Sequence, residues 1–302
     1  MNVNVEVEER TLKLSNLDKV LYPEVGLTKG EVIRYYTCVA PVLLPHLAGR
    51  PLTVKRYPNG VDGPFFFEKN ASRSKPDWVR TARLPAPGST KNRDEIDYVV
   101  VEELATLVWL ANLAALELHT PQWKVGPRDG VRGADQLVLD LDPGAPATVV
   151  QCARVALALR ELLVADGLAP VAKTSGSKGM QVYAAVAETP AERTSAYAHE
   201  LAKRLETEQP ELVVSRMTKS LRPGKVLVDW SQNNAAKTTV SVYSLRARPS
   251  ATVSTPVSWA EVEAAAAGSP LSFTQADVLE RVPDGDLFAP LLESARRPRL
   301  PA

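Results

Sequence analysis

Residues 137–144 read LVLDLDPG, and the spacing inside this octapeptide decides the reading of the fold. Leucine and valine fill it except at Asp140 and Asp142, and Pro143 with Gly144 ends it at once. Successive side chains of a strand alternate between two faces. Leu137, Leu139 and Leu141 therefore share one face, and Asp140 and Asp142 share the other, with Cα atoms roughly 7 Å apart. The leucine face demands a core. The carboxylate face demands positive charge, because two like charges beside apolar surface repel and are poorly solvated. A divalent cation supplies that charge. An Asp-x-Asp before Pro-Gly also suits a plain strand end and its turn.

Working outward, KVLVDWSQN (225–233) places Asp229 at the end of a second β-branched run. If that strand lies beside the first, three carboxylates converge, the donor set of two-metal phosphoryl transfer. The remaining periodicities fill in the order. Thr28 and Glu31 form a capping box ahead of a helix. PLTVKRY (51–57) and IDYVVV (96–101) read as strands, with a loop at 86–95 between them, and EELATLVWLANLAALEL (102–118) reads as a buried helix. ATVVQCARVALALRELLVADG (147–167) is a helix closed by Gly167. APVAKTS and MQVYAAV are strands joined by a Gly-Ser turn, 190–207 is an amphipathic helix, and 225–231 and 237–245 read as a further strand pair. The fold class is α/β or α+β. It comprises an N-terminal α/β part to about residue 130 and then a mixed or antiparallel sheet with helices on one face, within a single domain of residues 1–300.

Composition is that of an ordinary globular chain: 302 residues, 45% hydrophobic and 24% charged. No apolar run is long enough to span a membrane, and the N-terminus carries no signal pattern, so the cytoplasm is the expected compartment. Cys38 and Cys152 show no metal or redox spacing and read as reduced core residues. The net charge of +1 is uneven. Residues 50–93 hold ten Lys/Arg against three Asp/Glu, and residues 215–250 hold seven against one. Two basic blocks on an acidic body suit a polyanion partner, although scattered solvated charge has the same composition.

KTSGSKGMQVY (173–183) puts two glycines, two serines and two lysines between two strands. Glycines let backbone N–H groups turn toward one point, and Ser175, Ser177 and Lys178 can add donors and charge. No Walker spacing is present, and a simple hairpin fits the same residues. His119 reads as a satisfied core or helix-end residue or as a group that bonds a sugar hydroxyl or phosphate. GPFFFEKN (63–70) is either a buried strand or a stacking platform flanked by Lys55, Arg56 and Lys69. Lys29 falls in a first helical turn, where anions are favoured.

Taken together, these stretches, with NLDKVLYPEVGLTKGEVIRYY, LELHTPQW, TKSLRPGKVLVDWSQN and KTTVSVYSLRAR, resemble the polymerase domain of bacterial DNA ligase D, a branch of the archaeo-eukaryotic primase superfamily. The motifs occur in order over roughly residues 10–290. The resemblance implies a primase-polymerase fold, an RRM-like mixed sheet packed on an N-terminal DNA-end-binding part. It implies two divalent ions, Mn2+ favoured or Mg2+, on Asp140, Asp142 and Asp229. Lys55, His119, Ser175, Lys178, Gln181, Gln232 and Arg246 would serve the nucleotide. Asn16, Lys19, Lys29, Phe66, Phe67, Lys69 and Arg222 would serve DNA. Gapped or broken DNA with a 5′-phosphate, NTP or dNTP, Ku and a DNA ligase are the implied partners. One departure concerns the phosphate turn, which in the family often continues Gly-Leu-His and here reads Gly179-Met180-Gln181. The other is length: the chain reads as a stand-alone polymerase. A non-catalytic end-binding module, a metal-dependent nuclease or phosphatase, and a primase that starts chains remain as rival readings.

Overall fold

The computed structural model describes residues 2–86, 94–293 and 297–301. Most of the loop expected at 86–95 lies outside the described residues. Among those residues two larger sheets carry the architecture. In the seven-stranded sheet, Val213–Val214, Val226–Asp229, Val131–Pro143, Met180–Thr189, Pro170–Thr174 and Pro256–Val257 follow one another, with Trp123–Val125 also on the long central strand. All its pairings are antiparallel except Val213–Val214 on Val226–Asp229. The sheet is therefore mixed, as expected.

Leu137, Leu139 and Leu141 are fully buried. They meet the helices Val149–Ala165 and Ala191–Glu208 in one core cluster, through Cys152, Leu159, Leu201 and Leu205 among others. Thr148 caps the first of these helices in a box with Gln151, and Gly167 turns the chain away at φ 78°. Among the described residues, the opposite face of the same sheet carries no helix of this kind. Val138 and Tyr183 on that face belong to the other core cluster, built from the N-terminal half. The alternation of the central strand thus places its aspartates at a seam between two cores.

The second sheet is six-stranded, in the order Thr239–Val240, Ala115–Thr120, Pro51–Arg56, Glu95–Val100 and Thr81–Pro85, with Phe66–Glu68 also on Pro51–Arg56. The helix Lys29–Leu47 packs on it, capped by Thr28 and Glu31. Three local expectations change here. The buried helix expected over 102–118 is only Leu104–Asn112. Ala114 then turns the chain at φ 57°, and Ala115–Thr120 is a strand. An apolar run reads alike in a buried helix and a buried strand, so periodicity missed the break. The segments 225–231 and 237–245 do not pair with each other. The first becomes a 3-10 helix at Trp230–Asn233, and the second contributes only Thr239–Val240, which joins the other sheet beside His119. Tyr243, at φ 61°, prevents that strand from continuing. Cys38, finally, is exposed on its helix and not a core residue, whereas Cys152 is buried. No helix among the described residues is long and apolar enough to cross a membrane.

Candidate active site

In register, Asp140 lies opposite Asp229 on one side and Gln181 on the other, and Gln181 in turn lies opposite Lys173. Directly opposed residues share a face, with Cα atoms about 5 Å apart. Four strands therefore display the row Asp229–Asp140–Gln181–Lys173 across the seam. Asp142, two residues further along the same face, stands exposed at the rim. Burial and then the Asp142 charge raise the Asp140 carboxyl above the usual range; burial and then Asp229 raise that of Asp142. The physical content is a local shortage of positive charge.

That shortage and the hard oxygen donors suit a divalent cation such as Mg2+ or Mn2+. The carboxylates nonetheless do not form an open cage. Asp229 Oδ1 accepts from the Ser231 N–H at 3.0 Å and from Ser231 Oγ, and its Oδ2 accepts from Gln232 Nε2 at 2.8 Å. Ser231 Oγ also receives Lys237. Among the described residues, no group of three or more His, Cys, Asp or Glu side chains stands ready to hold a metal. Asp140 Oδ1 accepts from Gln181 Nε2 at 3.0 Å. An amide can donate without carrying charge, and the partner of Gln181 here is a carboxylate. Beyond Gln181 sits Lys173, 1% exposed, whose ammonium burial pulls down to about 7 against the attraction of Asp140.

The turn after Lys173 closes tightly. The N–H groups of Ser177 and Gly179 both point at Ser175 Oγ, each at 3.2 Å. A Cβ on Gly179 would come within 2.0 Å of the Leu141 carbonyl, and one on Gly176 within 2.6 Å of Arg246. Only glycine lets this turn lie against the Asp-x-Asp strand. Arg246 donates to the Ser175 carbonyl at 2.5 Å, Arg248 donates to Ser177 Oγ at 2.5 Å, and Lys178 is exposed.

Across the seam, Glu117 and His119 repeat the i, i+2 grammar of the aspartates on their own strand. Glu117, 4% exposed, accepts from His119 Nε2 at 3.0 Å and from the Ala247 N–H at 3.0 Å. Arg246 Nε stands 3.5 Å and Lys55 Nζ 4.0 Å from the same carboxylate. Burial pushes the Glu117 carboxyl up, but the His119 bond and the Arg246 charge overcome it and hold the group at about 2. Burial lowers His119 and Lys55 despite Glu117. Reading 102–118 as one helix hid Glu117. Seen as a strand, its spacing from His119 was the available signal.

Lys55 Nζ lies 3.8 Å over the Phe65 ring, and Phe67 meets His119 edge-on at 6.1 Å. Phe66 packs instead under Arg56, which pairs with Glu68 at 2.6 Å. Consecutive strand residues point to opposite faces, so Phe66 and Phe67 do not share one platform. Phe65, Phe66 and Phe67 are 45–59% exposed, which removes the buried-strand reading of this stretch. Lys69 beside them is exposed.

Farther out, Asn16, Lys19 and Lys29 come together through the bonds of Lys19 N–H to Asn16 O and of Lys29 N–H to Lys19 O. Lys19 donates to Asn59, whereas Lys29 turns inward to Ser15 and Asn112, with burial lowering its ammonium. Arg222 bonds the Met217 carbonyl and lies near enough to Asp142 to favour its ionised form.

Against known proteins, residues 28–288 match the family described as LigD, primase-polymerase domain. The chain is 45% identical over 287 residues to the multifunctional non-homologous end joining DNA repair protein LigD of Mycobacterium tuberculosis, covering 93% of this chain and 37% of that protein. It is 32% identical over 273 residues to the bifunctional non-homologous end joining protein LigD of Bacillus subtilis, covering 90% of this chain and 42% of that one. The chain thus spans well under half the length of either relative. A solved structure, the polymerase domain from Mycobacterium tuberculosis Ligase D in complex with DNA, superposes with a TM-score of 0.88 at 43% identity, over 96% of this chain and 100% of that one. The carboxylate row, the glycine turn and these similarities agree, and the chain belongs to the LigD primase-polymerase domain family.

Proposed function

We propose that this chain is a template-directed nucleotidyltransferase that adds ribo- or deoxyribonucleotides to a primer 3′-OH at DNA gaps and breaks, in non-homologous end joining or related repair. The observation that carries the reading is the register of Asp229 against Asp140, on the one face of the sheet that looks across to Lys55, His119 and Arg246. Asp140, Asp142 and Asp229 would hold two divalent ions, Mn2+ or Mg2+, which when bound neutralise phosphate charge and activate the attacking oxygen. Ser175, Lys178, Arg246 and Lys55 then bind the triphosphate. His119, fixed by Glu117, orients the sugar. Exposed Phe66 stacks on unpaired template bases, and Phe67 lies beside His119 on the nucleotide side. Asn16, Lys19 and Lys29 gather at one turn suited to a 5′-phosphate, with Lys69 and Arg222 along the DNA path. Ku and a DNA ligase are the proposed partners. The whole of residues 1–300 acts as one catalytic domain, in which the part before about residue 130 grips the DNA end.

The test is extension of a labelled primer on a gapped duplex with Mn2+, with and without a downstream 5′-phosphate, comparing ribo- with deoxyribonucleotides. The reading expects elongation that a 5′-phosphate stimulates. A strand shortened instead of lengthened would show a nuclease, and binding without any extension would show an end-binding module.

A further inference from the structure

Lys173 places its amine in the protein interior, 1% exposed, where the proposed reaction does not use it. An ammonium has three N–H donors and no acceptor. All three are spent on neutral groups: Gln181 Oε1 at 2.5 Å, Ser254 Oγ at 2.6 Å and the Val240 carbonyl at 3.1 Å. Two of these partners lead to opposite sides of the seam. Gln181 passes its Nε2 to Asp140, and Val240 lies directly opposite His119 in the neighbouring sheet. The amide of Gln181 fits between them one way round only, because the ammonium offers nothing but donors and an ionised carboxylate nothing but acceptors.

We propose that Lys173 is a positioning residue: held in place by the Val240 carbonyl beside the His119 strand and by Ser254, it fixes through Gln181 which way the Asp140 carboxylate faces. The inference rests on the reading that Asp140 holds a divalent ion. With Oδ1 engaged by Gln181, Oδ2 is the oxygen left for that ion. Groups that orient a metal-binding side chain from behind contribute strongly to metal affinity. The glutamine at this position is thereby oriented by a donor from behind it.

The experiment is titration of the full chain with Mn2+ alone, without nucleotide or DNA, following the free ion by electron paramagnetic resonance. Lys173→Met and Gln181→Leu are each expected to weaken Mn2+ binding about tenfold. If Lys173 acts through Gln181, the double variant is no weaker than Gln181→Leu alone. Gln181→His should recover most of the loss, since a neutral imidazole accepts from Lys173 on one nitrogen and donates to Asp140 from the other. Tighter Mn2+ binding by Lys173→Met, as for an ammonium that merely repels the ion, overturns the proposal, and so do losses that multiply in the double variant. Should Lys173→Met fail to fold by circular dichroism, the His-against-Leu contrast at Gln181 decides. Gln181→Leu binding Mn2+ like the unaltered chain then sinks it. Absence of Mn2+ binding by the unaltered chain removes the reading of Asp140 itself, which is a separate result.

Discussion

The two walls of the seam are built on opposite electrostatic plans. On the seven-stranded sheet, Asp140, Asp142 and Asp229 crowd together, and burial and mutual repulsion raise the first two. On the facing wall, Lys55, His119 and Arg246 crowd around the carboxylate of Glu117, which the His119 bond and the Arg246 charge hold at about 2. The first wall lacks cations and the second lacks anions. A metal–triphosphate complex, the ligand proposed above, would carry both and match the two walls at once.

The comparison is broken most directly at the carboxylates. Asp142→Ala should reduce primer extension by about a thousandfold, on the scale of losing a main electrostatic contributor, while thermal unfolding and DNA binding stay near those of the unaltered chain. Normal extension by that variant would end the metal reading. Next in size is Gly179→Ala. Its Cβ would meet the Leu141 carbonyl at 2.0 Å, so the turn must lift off the strand. A stability loss of about 3 kcal/mol is expected in denaturant melts, together with loss of nucleotide binding.

Glu117 sharpens the other wall. Its folded carboxyl lies at about 2 against an ordinary 4.5, so the folded state holds fewer protons than the unfolded state between those values. The stabilisation, on the order of 3 kcal/mol, is complete above about pH 4.5 and disappears as pH falls toward 2. Glu117→Gln should therefore melt lower than the unaltered chain at pH 7, and the gap should close on acidification through that window. A gap independent of pH would show that the cations do not depend on this charge. The smallest effect concerns the aromatic stretch. Phe67→Ala, on the His119 side, should raise the nucleotide KM. Phe66→Ala, on the Arg56 side, should leave that KM unchanged and weaken single-stranded DNA binding by about 1–3 kcal/mol, the worth of one stacked base. Equal effects on both measurements would contradict the opposite facing of the two rings.

The two walls also differ in how far they were legible. Alternation within one strand is a local property, so LVLDLDPG disclosed a leucine face and a carboxylate face directly, and the Gly-Ser turn behind them followed from its glycines. The same spacing in Glu117 and His119 went unread, because a continuous apolar run concealed the turn at Ala114 between helix and strand. Lys173 was visible only as one lysine of a turn, and nothing local indicated that it is buried. Phe65 over Lys55 was likewise hidden among three like residues.

From sequence alone came the mixed sheet with its helices on one side, the three aspartates as a set, the glycine turn and the family resemblance. Each depends on spacing along the chain or on motifs in order. Tertiary structure decided that Asp229 lies in register with Asp140, that Thr239–Val240 crosses to the other sheet, and that Lys173 reaches Gln181 and Val240 together. Those are pairings between residues far apart in the chain. Their partners are chosen by how two cores close on each other, and no local periodicity encodes that choice.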